Sequence, residues 1–348
     1  MKNKRELFIG NVGIGGTHRV SIQSMTSTNT CDWEATLKQI HALEKEGCEI
    51  IRIAVPSNDA LFSFAKIVKE SPLPVVADIH FDASLALGSI DAGADAIRIN
   101  PGNIGSKEKV KEILKAASNR HIPIRIGVNS GSIEKKYLSA DLSMAEKMTA
   151  SVLDKIKFFE ENNFFDIKIS LKSSNVTETV SAYRLMNDAC DYPLHLGVTE
   201  AGTFFSGSIK SAIGIGSLLI DGIGNTIRVS LTDNPVEEIK VAKEILKVTG
   251  MRNEGIELIS CPTCSRTSVD LIPMVKEAEK LLAALHPNKK ITAAIMGCEV
   301  NGPGEAKEAD IGLAFSQKHG FIFKKGIMIE KVEPSHAINR LVELIGQM

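Results

Sequence analysis

Short β-rich runs, each followed by loop residues and then by a helical pattern, repeat along the first two thirds of the chain. The runs predicted as strands are Arg19–Met25, Glu49–Val55, Pro74–His80, Ala96–Asn100, Pro123–Asn129, Asp166–Lys172, Pro193–Glu200 and Asn225–Leu231. Between them, apolar residues recur at helical spacing over Trp33–Glu46, Ala60–Lys69, Lys107–Ala117, Ala145–Glu161 and Pro235–Val248. Asp233-Asn234-Pro235, with Glu237 and Glu238 behind it, is a helix-start signal. Eight strand–helix units over roughly 250 residues predict an α/β fold of the (β/α)8 TIM-barrel type. An open doubly wound sheet would carry a glycine-rich fingerprint after its first strand. Here Gly13-Ile14-Gly15-Gly16 precedes that strand and reads as a turn.

After about residue 250 the rhythm changes. A strand over Ile256–Ser260, a helix over Val269–Leu285, a strand over Ile291–Met296 and a glycine-rich loop follow, then strands Ile311–Phe315 and Gly320–Glu330 and a helix from Ser335. The expected organisation is a substrate-binding barrel over residues 1–250 and a smaller α+β domain over 255–348.

The barrel strands are not the continuous apolar runs expected of parallel strands buried on both faces. Arg52 lies between two isoleucines, and Arg98 and Asn100 flank Ile99. Arg125, Gly127 and Asn129 share one parity, as do Lys168, Ser170 and Lys172, then His195, Gly197 and Thr199, then Arg228 and Ser230. With a side-chain period of two, each set points to one face and the isoleucines to the other, toward the helices. The polar face is then the lumen and its mouth. Burying Arg52, Arg98, Arg125 and Lys172 without counter-charge costs on the order of several kcal/mol each, so such a pocket expects a multiply charged anion, a small phosphorylated or diphosphorylated molecule. Gly102-Asn103-Ile104-Gly105-Ser106, leading into a helix, would add backbone donors. Asp78, His80 and Glu200 fall at carboxyl ends of strands, where barrel enzymes keep their chemistry, and are the acid–base candidates.

Lys plus Arg (41) nearly balances Asp plus Glu (42) across 348 residues, which argues against a nucleic-acid-binding protein, so any charged patch is local. The basic start has no apolar run behind it, and Ala212–Ile220 is glycine-broken and too short to span a bilayer. A cytoplasmic protein without membrane association is expected. Six cysteines in a chain of this length are no disulfide scaffold. Cys261-Pro262-Thr263-Cys264 follows one strand of the smaller domain and Cys298 another, which points to a metal site, while Cys31, Cys48 and Cys190 read as small buried hydrophobes. A structural zinc would want a fourth cysteine or a histidine, and His286 and His319 lack ligand spacing. The other reading is a four-iron cluster on three thiolates, with Glu305 as the carboxylate for the fourth iron. A barrel transferase or lyase acting on a phosphorylated substrate, with a zinc domain, is the alternative these residues leave open.

Taken in order, MTSTNT (25–30), EIIRIAVP (49–56), VVADIHFD (75–82), AIRINPGNIG (96–105), IRIGVNSGS (124–132), IKISLKSS (167–174), LGVTEAGT (196–203), SCPTCSRT (260–267) and MGCEVNGPGEAKEADIG (296–312) resemble the 4-hydroxy-3-methylbut-2-enyl diphosphate synthase family, nearly end to end. The resemblance implies an iron–sulfur oxidoreductase of the non-mevalonate isoprenoid pathway that reductively opens 2-C-methyl-D-erythritol 2,4-cyclodiphosphate. It implies one [4Fe-4S] cluster per chain on Cys261, Cys264, Cys298 and Glu305. It also implies substrate roles for Arg52, Asp78, His80, Arg98, Arg125, Asn129, Lys172 and Glu200, with ferredoxin or flavodoxin as electron donor. Ala83-Ser84, after the HFD motif, depart from the larger and basic residues common there. A short linker near Thr249–Gly255, leaving the barrel opposite its mouth, adds the expectation of a homodimer in which each cluster domain serves the other subunit's barrel.

Overall fold

Parallel strands can pair edge to edge around a closed ring only if a helix returns the chain between them, and the computed structural model, which describes residues 4–285, 287–299 and 308–348, builds such a ring. The chain divides into two compact units, Met1–Met251 and Arg252–Met348. The first opens with an antiparallel hairpin, β1 (Leu7–Ile9) and β2 (Val12–Ile14). Eight strands follow: β3 (Ser21–Met25), β4 (Ile50–Ala54), β5 (Val75–Asp78), β6 (Ala96–Ile99), β7 (Ile124–Asn129), β8 (Ile167–Lys172), β9 (His195–Leu196) and β10 (Thr226–Ile227). All pairings are parallel, in the order β8-β7-β6-β5-β4-β3-β10-β9, and a bridge between Ile169 and Leu194 closes β8 onto β9. The expected TIM barrel is therefore observed.

The intervening helices are α1 (Trp33–Glu46), α2 (Asn58–Glu70), α3 (Ala83–Asp91), α4 (Lys107–Arg120), α5 (Lys135–Leu138), α6 (Met144–Glu161), α7 (Val176–Ala189), α8 (Phe204–Ile220) and α9 (Pro235–Val248). Their starts follow local chemistry. Ser143 and Glu146 form a reciprocal capping box on α6, and Asn234 accepts from the Val236 amide ahead of Pro235 in α9. Ala83 and Ser84 are the first turn of α3, capped by Asp82. The strand isoleucines of the outward parity, such as Ile51, Ile53, Ile97, Ile126 and Ile169, pack with the helices in one continuous core.

The glycine-rich stretch before the first strand proves to be more than a turn. Leu7, Ile9 and Ile14 of the hairpin pack with Ile50, Val76 and Ala96, which share the inward parity of Arg52, Asp78 and Arg98 two residues on. An apolar hairpin thus plugs the amino end of the lumen beneath its charged layers. Regular pairing of β9 and β10 covers only two residues each, against the longer runs expected. Toward the mouth the backbones splay, held by single bonds such as Arg228 N–H to Leu196 O (3.0 Å) and Thr199 N–H to Ser173 O (3.4 Å).

The second unit is a five-stranded mixed sheet, β11 (Gly255–Ser260), β12 (Lys290–Met296), β13 (Ile311–Phe315), β14 (Gly320–Lys324) and β15 (Ile327–Val332), in chain order. Helices α10 (Leu271–Leu282) and α11 (Ala337–Gly346) cover one face through Leu282, Ile295, Leu313 and Leu341. The run expected as one strand over Gly320–Glu330 is a hairpin: Lys325 (φ 48°) and Gly326 (φ 78°) both take left-handed backbone, the two-residue turn that matches strand twist.

Candidate functional site

The inward parity read from the sequence lines up laterally around the barrel. Asp78 pairs in register with Arg98, Arg98 with Arg125, Arg125 with Lys168, and Asn129 with Lys172. Arg52, Arg98, Arg125, Lys168 and Lys172 are all buried, and Arg228 is half-buried. Among the described residues two carboxylates act on them. Asp78 lies 3.2 Å from Arg98 Nη1 and 3.7 Å from Arg52 Nε, and Glu238 stands near Arg228 and Lys172. Six basic side chains against two carboxylates among the described residues leave an uncompensated excess of positive charge in a low-dielectric lumen.

The excess shows in the hydrogen bonds and the titration directions. Arg98 Nε, Arg125 Nε and Nη1, Lys168 Nζ, Arg228 Nε and His195 Nε2 are buried without a hydrogen-bond partner among the described residues. Burial, reinforced by neighbouring cations, lowers the proton affinity of Arg125, Lys168, Lys172 and His195 well below the ordinary range. Burial alone would raise Asp78, but Arg52, the His80 hydrogen bond and Arg98 together hold it far below the usual carboxylate range. In the free barrel Asp78 thus stands as the counter-charge to two guanidinium groups.

His80 Nε2 faces both Arg98 Nη1 (3.2 Å) and Asp78 Oδ2 (3.5 Å). Its unprotonated nitrogen accepts from Arg98, and its protonated form donates to Asp78. Half of its side chain is open to solvent, so it is the acid–base candidate at the mouth. Glu200 is exposed, in the turn after β9, with a left-handed φ of 52° that non-glycine residues rarely adopt. Asn100 Oδ1 accepts the Gly102 amide (3.2 Å) and so shapes the loop before α4. Asn129 ends β7 half-buried, and Thr199 is half-buried in the splayed segment. His195 lies deeper than the others, fully buried, with Nδ1 2.7 Å from Thr226 Oγ1.

Two glycines make room for these side chains. A Cβ on Gly197 would lie 2.5 Å from Lys172 Nζ and 2.7 Å from the Arg228 carbonyl, and one on Gly127 would lie 3.2 Å from Arg98 Nε. Sequence reasoning missed Glu238, which it took for a capping charge. The residue is buried, accepts the Leu231 amide (2.9 Å) and lies 3.3 Å from Ser24 Oγ. Its spacing from Ala242 and Ile245, on the buried face of α9, was the available signal. Met25 was missed too; its sulfur accepts from Arg52 Nη2 at 2.8 Å.

In the second unit, β11 and β12 run parallel, and both end at the cysteines. Cys261 follows Ser260, Cys298 follows Met296-Gly297, and the Gly297 amide donates to Cys261 Sγ at 3.3 Å. Thr267 closes the knuckle: its N–H donates to Cys264 O and its hydroxyl accepts from Cys264 N–H, both at 3.0 Å. The Arg266 amide and charge lower the exposed Cys264 thiol. All six cysteines are free thiols, and among the described residues no three His, Cys, Asp or Glu side chains stand at the spacing of a single-ion site. The N–H donor to a thiolate and the thiols at adjacent strand ends fit a polynuclear iron–sulfur group, whose thiolates bind different irons. Glu305 and His286 lie outside the described residues. Cys31, expected as a buried hydrophobe, is exposed, because it sits in the turn before α1, where its N–H donates to Asn29 Oδ1. Cys48 is buried as expected.

Comparison with solved structures finds the barrel in dihydropteroate synthases at low identity. The Yersinia pestis enzyme superposes with a TM-score of 0.52 over 70% of this chain and 97% of that one, at 13% identity. The Vibrio fischeri 7,8-dihydropteroate synthase gives 0.51 over 71% and 98%, at 14%. These likenesses establish the fold alone. The family description "GcpE TIM-barrel domain" matches residues 4–243, and "GcpE protein C-terminal domain" matches 257–347. The 4-hydroxy-3-methylbut-2-en-1-yl diphosphate synthase (flavodoxin) of Clostridium acetobutylicum is 54% identical over 345 residues, 99% of this chain and 98% of the relative. The Listeria monocytogenes protein of the same name is 50% identical over 341 residues, 98% and 92%. The chain belongs to the GcpE family, that of the 4-hydroxy-3-methylbut-2-en-1-yl diphosphate synthases.

Proposed function

We propose that this chain is a 4-hydroxy-3-methylbut-2-en-1-yl diphosphate synthase, an oxidoreductase of isoprenoid biosynthesis that reductively opens 2-C-methyl-D-erythritol 2,4-cyclodiphosphate. The observation that carries the reading is the lumen itself, where, among the described residues, six basic side chains meet two carboxylates and buried guanidinium and lysine nitrogens lack acceptors. A cyclic diphosphate supplies two negative charges and a ring of acceptor oxygens at that spot.

Arg52, Arg98, Arg125, Lys172 and Arg228 bind the phosphates, and Asp78 keeps Arg52 and Arg98 aimed. Asn100, Asn129, Thr199 and His195 complete the wall around the ring. The amino end of α4, capped by Ser106, adds backbone donors. The balanced reaction takes up two electrons and protons, breaks a C–O bond and the ring, and releases water. His80, open to solvent and in contact with Arg98, delivers a proton at the mouth, and Glu200 orients the departing oxygen. Cys261, Cys264 and Cys298, with Glu305, would hold one [4Fe-4S] cluster. That group supplies electrons one at a time and Lewis acidity at iron.

Flavodoxin, named for the relatives, or a ferredoxin donates the electrons. Two further readings belong to this proposal. The connection between α9 and β11 is short, so each cluster unit serves the barrel of a second copy in a homodimer. The free cysteines suit a reducing cytoplasm, and among the described residues no helix is long and apolar enough to cross a membrane. Mixing a Cys264→Ser chain with an Arg125→Ala chain restores activity if the dimer reading holds, and restores none if each chain works alone. Anaerobic purification with iron, sulfide and zinc analysis tests the redox reading. About four irons per chain, with a band that bleaches on reduction, are expected. Stoichiometric zinc without colour overturns it in favour of a barrel transferase.

A further inference from the structure

The lower tier of the lumen holds a lysine that the reaction above does not use. Lys168 lies on β8 four residues before Lys172, about 13 Å deeper along the strand at roughly 3.3 Å per residue. It is 2% exposed, and its Nζ has no hydrogen-bond partner among the described residues. On β7 it stands in register with Arg125, whose Nε and Nη1 are equally unpartnered. Arg52 of β4 acts on it, and His195 of β9 is close enough to feel its charge. From β3 and β10 the inward residues are Ser21, Gln23 and Thr226, which carry no charge, and the floor below is the apolar hairpin cluster. The charges that act on Lys168 are Arg125 and Arg52; Asp78 acts on those two arginines rather than on the lysine, and Glu238 on Arg52, Arg228 and Lys172.

A lysine nitrogen with, among the described residues, no acceptor and no carboxylate beside it and two guanidinium neighbours is pushed toward its neutral form, and burial drives the same way. Two negative charges arriving above it reverse that balance. We propose that Lys168 adjusts the charge of the diphosphate site: neutral in the free barrel, it takes one proton from solvent as the doubly charged ligand binds and returns it on release. The inference rests on the diphosphate reading of the lumen. Lys168 is a positioning residue, sparing Arg125 and Arg52 a third cation in the free barrel and adding its charge only when the ligand is present.

The test is calorimetric titration of 2-C-methyl-D-erythritol 2,4-cyclodiphosphate into the cluster-loaded chain at pH 8, in buffers of different ionisation enthalpy. Binding with uptake of about one proton is expected, and affinity then falls by up to about tenfold per unit as pH rises, since the bound form is the protonated one. Lys168→Met loses that uptake and flattens the pH dependence. Lys168→Arg, permanently charged, binds without uptake and guards against a folding defect in the first variant. His195→Gln keeps the uptake. Wild-type binding without uptake, or wild-type uptake in Lys168→Arg, overturns the role of the lysine alone. No binding heat at all overturns the diphosphate reading and this inference with it.

Discussion

Gly197→Ala puts one methyl group where Lys172 now lies. The added Cβ would stand 2.5 Å from Lys172 Nζ, 3.0 Å from its Cε and 2.7 Å from the Arg228 carbonyl oxygen. The lysine tip can swing aside, but the carbonyl is backbone, and a contact below 3.0 Å forces it to move. Overpacking of this kind costs about 1–3 kcal/mol of stability. On the proposed diphosphate reading, the displaced ammonium also forfeits a charge-assisted bond to a bound phosphate, about 1.5–3 kcal/mol, which is roughly 10- to 150-fold in Kd. Calorimetric titration of the cyclic diphosphate and urea unfolding of the barrel read the two effects. Gly216→Ala, in α8 with its nearest neighbour at 3.7 Å, is the control, expected to gain up to about 1 kcal/mol as a helix-interior glycine and to bind normally. A Gly197→Ala chain with wild-type affinity and wild-type unfolding would refute the argument that glycine here makes room for Lys172.

Asp78→Asn leaves Arg52 and Arg98 without their buried counter-charge and is expected to cost about 3–5 kcal/mol at pH 7 in urea unfolding. Because the folded carboxyl is held below its ordinary value, its stabilisation is full above about pH 4 and declines as pH falls. The gap between wild type and variant therefore narrows by about 1.4 kcal/mol per unit below pH 4, and a constant gap would contradict the assignment. Gly297→Ala would bring a Cβ to 2.8 Å from Thr267 Cγ2 and 3.1 Å from Leu271 Cδ2, disturbing both the amide donor to Cys261 and the knuckle clasp. Iron per chain after reconstitution is expected to fall, and the reduction potential of whatever loads to shift; unchanged values in both would count against the thiolate role of Cys261.

The barrel was legible because its signal is local and repeated. Arg52, Arg98 and Arg125 each sit between outward isoleucines, and Lys172 repeats the parity of Lys168 and Ser170, so parity alone named all four before any geometry. Helix starts at Ser143 and Asn234 follow from side chains that satisfy their own amides. What parity could not supply is depth and partnership. His195 and Arg228 share a parity set with mouth residues, yet His195 is fully buried and Arg228 only half-buried. Asp78, read as an acid–base candidate, is claimed by two arginines that arrive from different strands. Glu238 comes from a helix and enters the lumen's field across the end of β10, a tertiary relation that no strand pattern carries. The hairpin of Leu7–Ile14 was missed because its strands are three residues each, too short to show alternation.

The central claim is that this cationic lumen and the cysteine knuckle serve one redox reaction on one cyclic diphosphate. The measurement that tests it most directly is turnover of 2-C-methyl-D-erythritol 2,4-cyclodiphosphate by the anaerobically reconstituted chain with reduced flavodoxin, products identified by mass spectrometry. The account predicts 4-hydroxy-3-methylbut-2-en-1-yl diphosphate at one molecule per two electrons consumed, abolished in Arg125→Ala and in Cys264→Ser. Substrate recovered intact from a chain loaded with about four irons would contradict it.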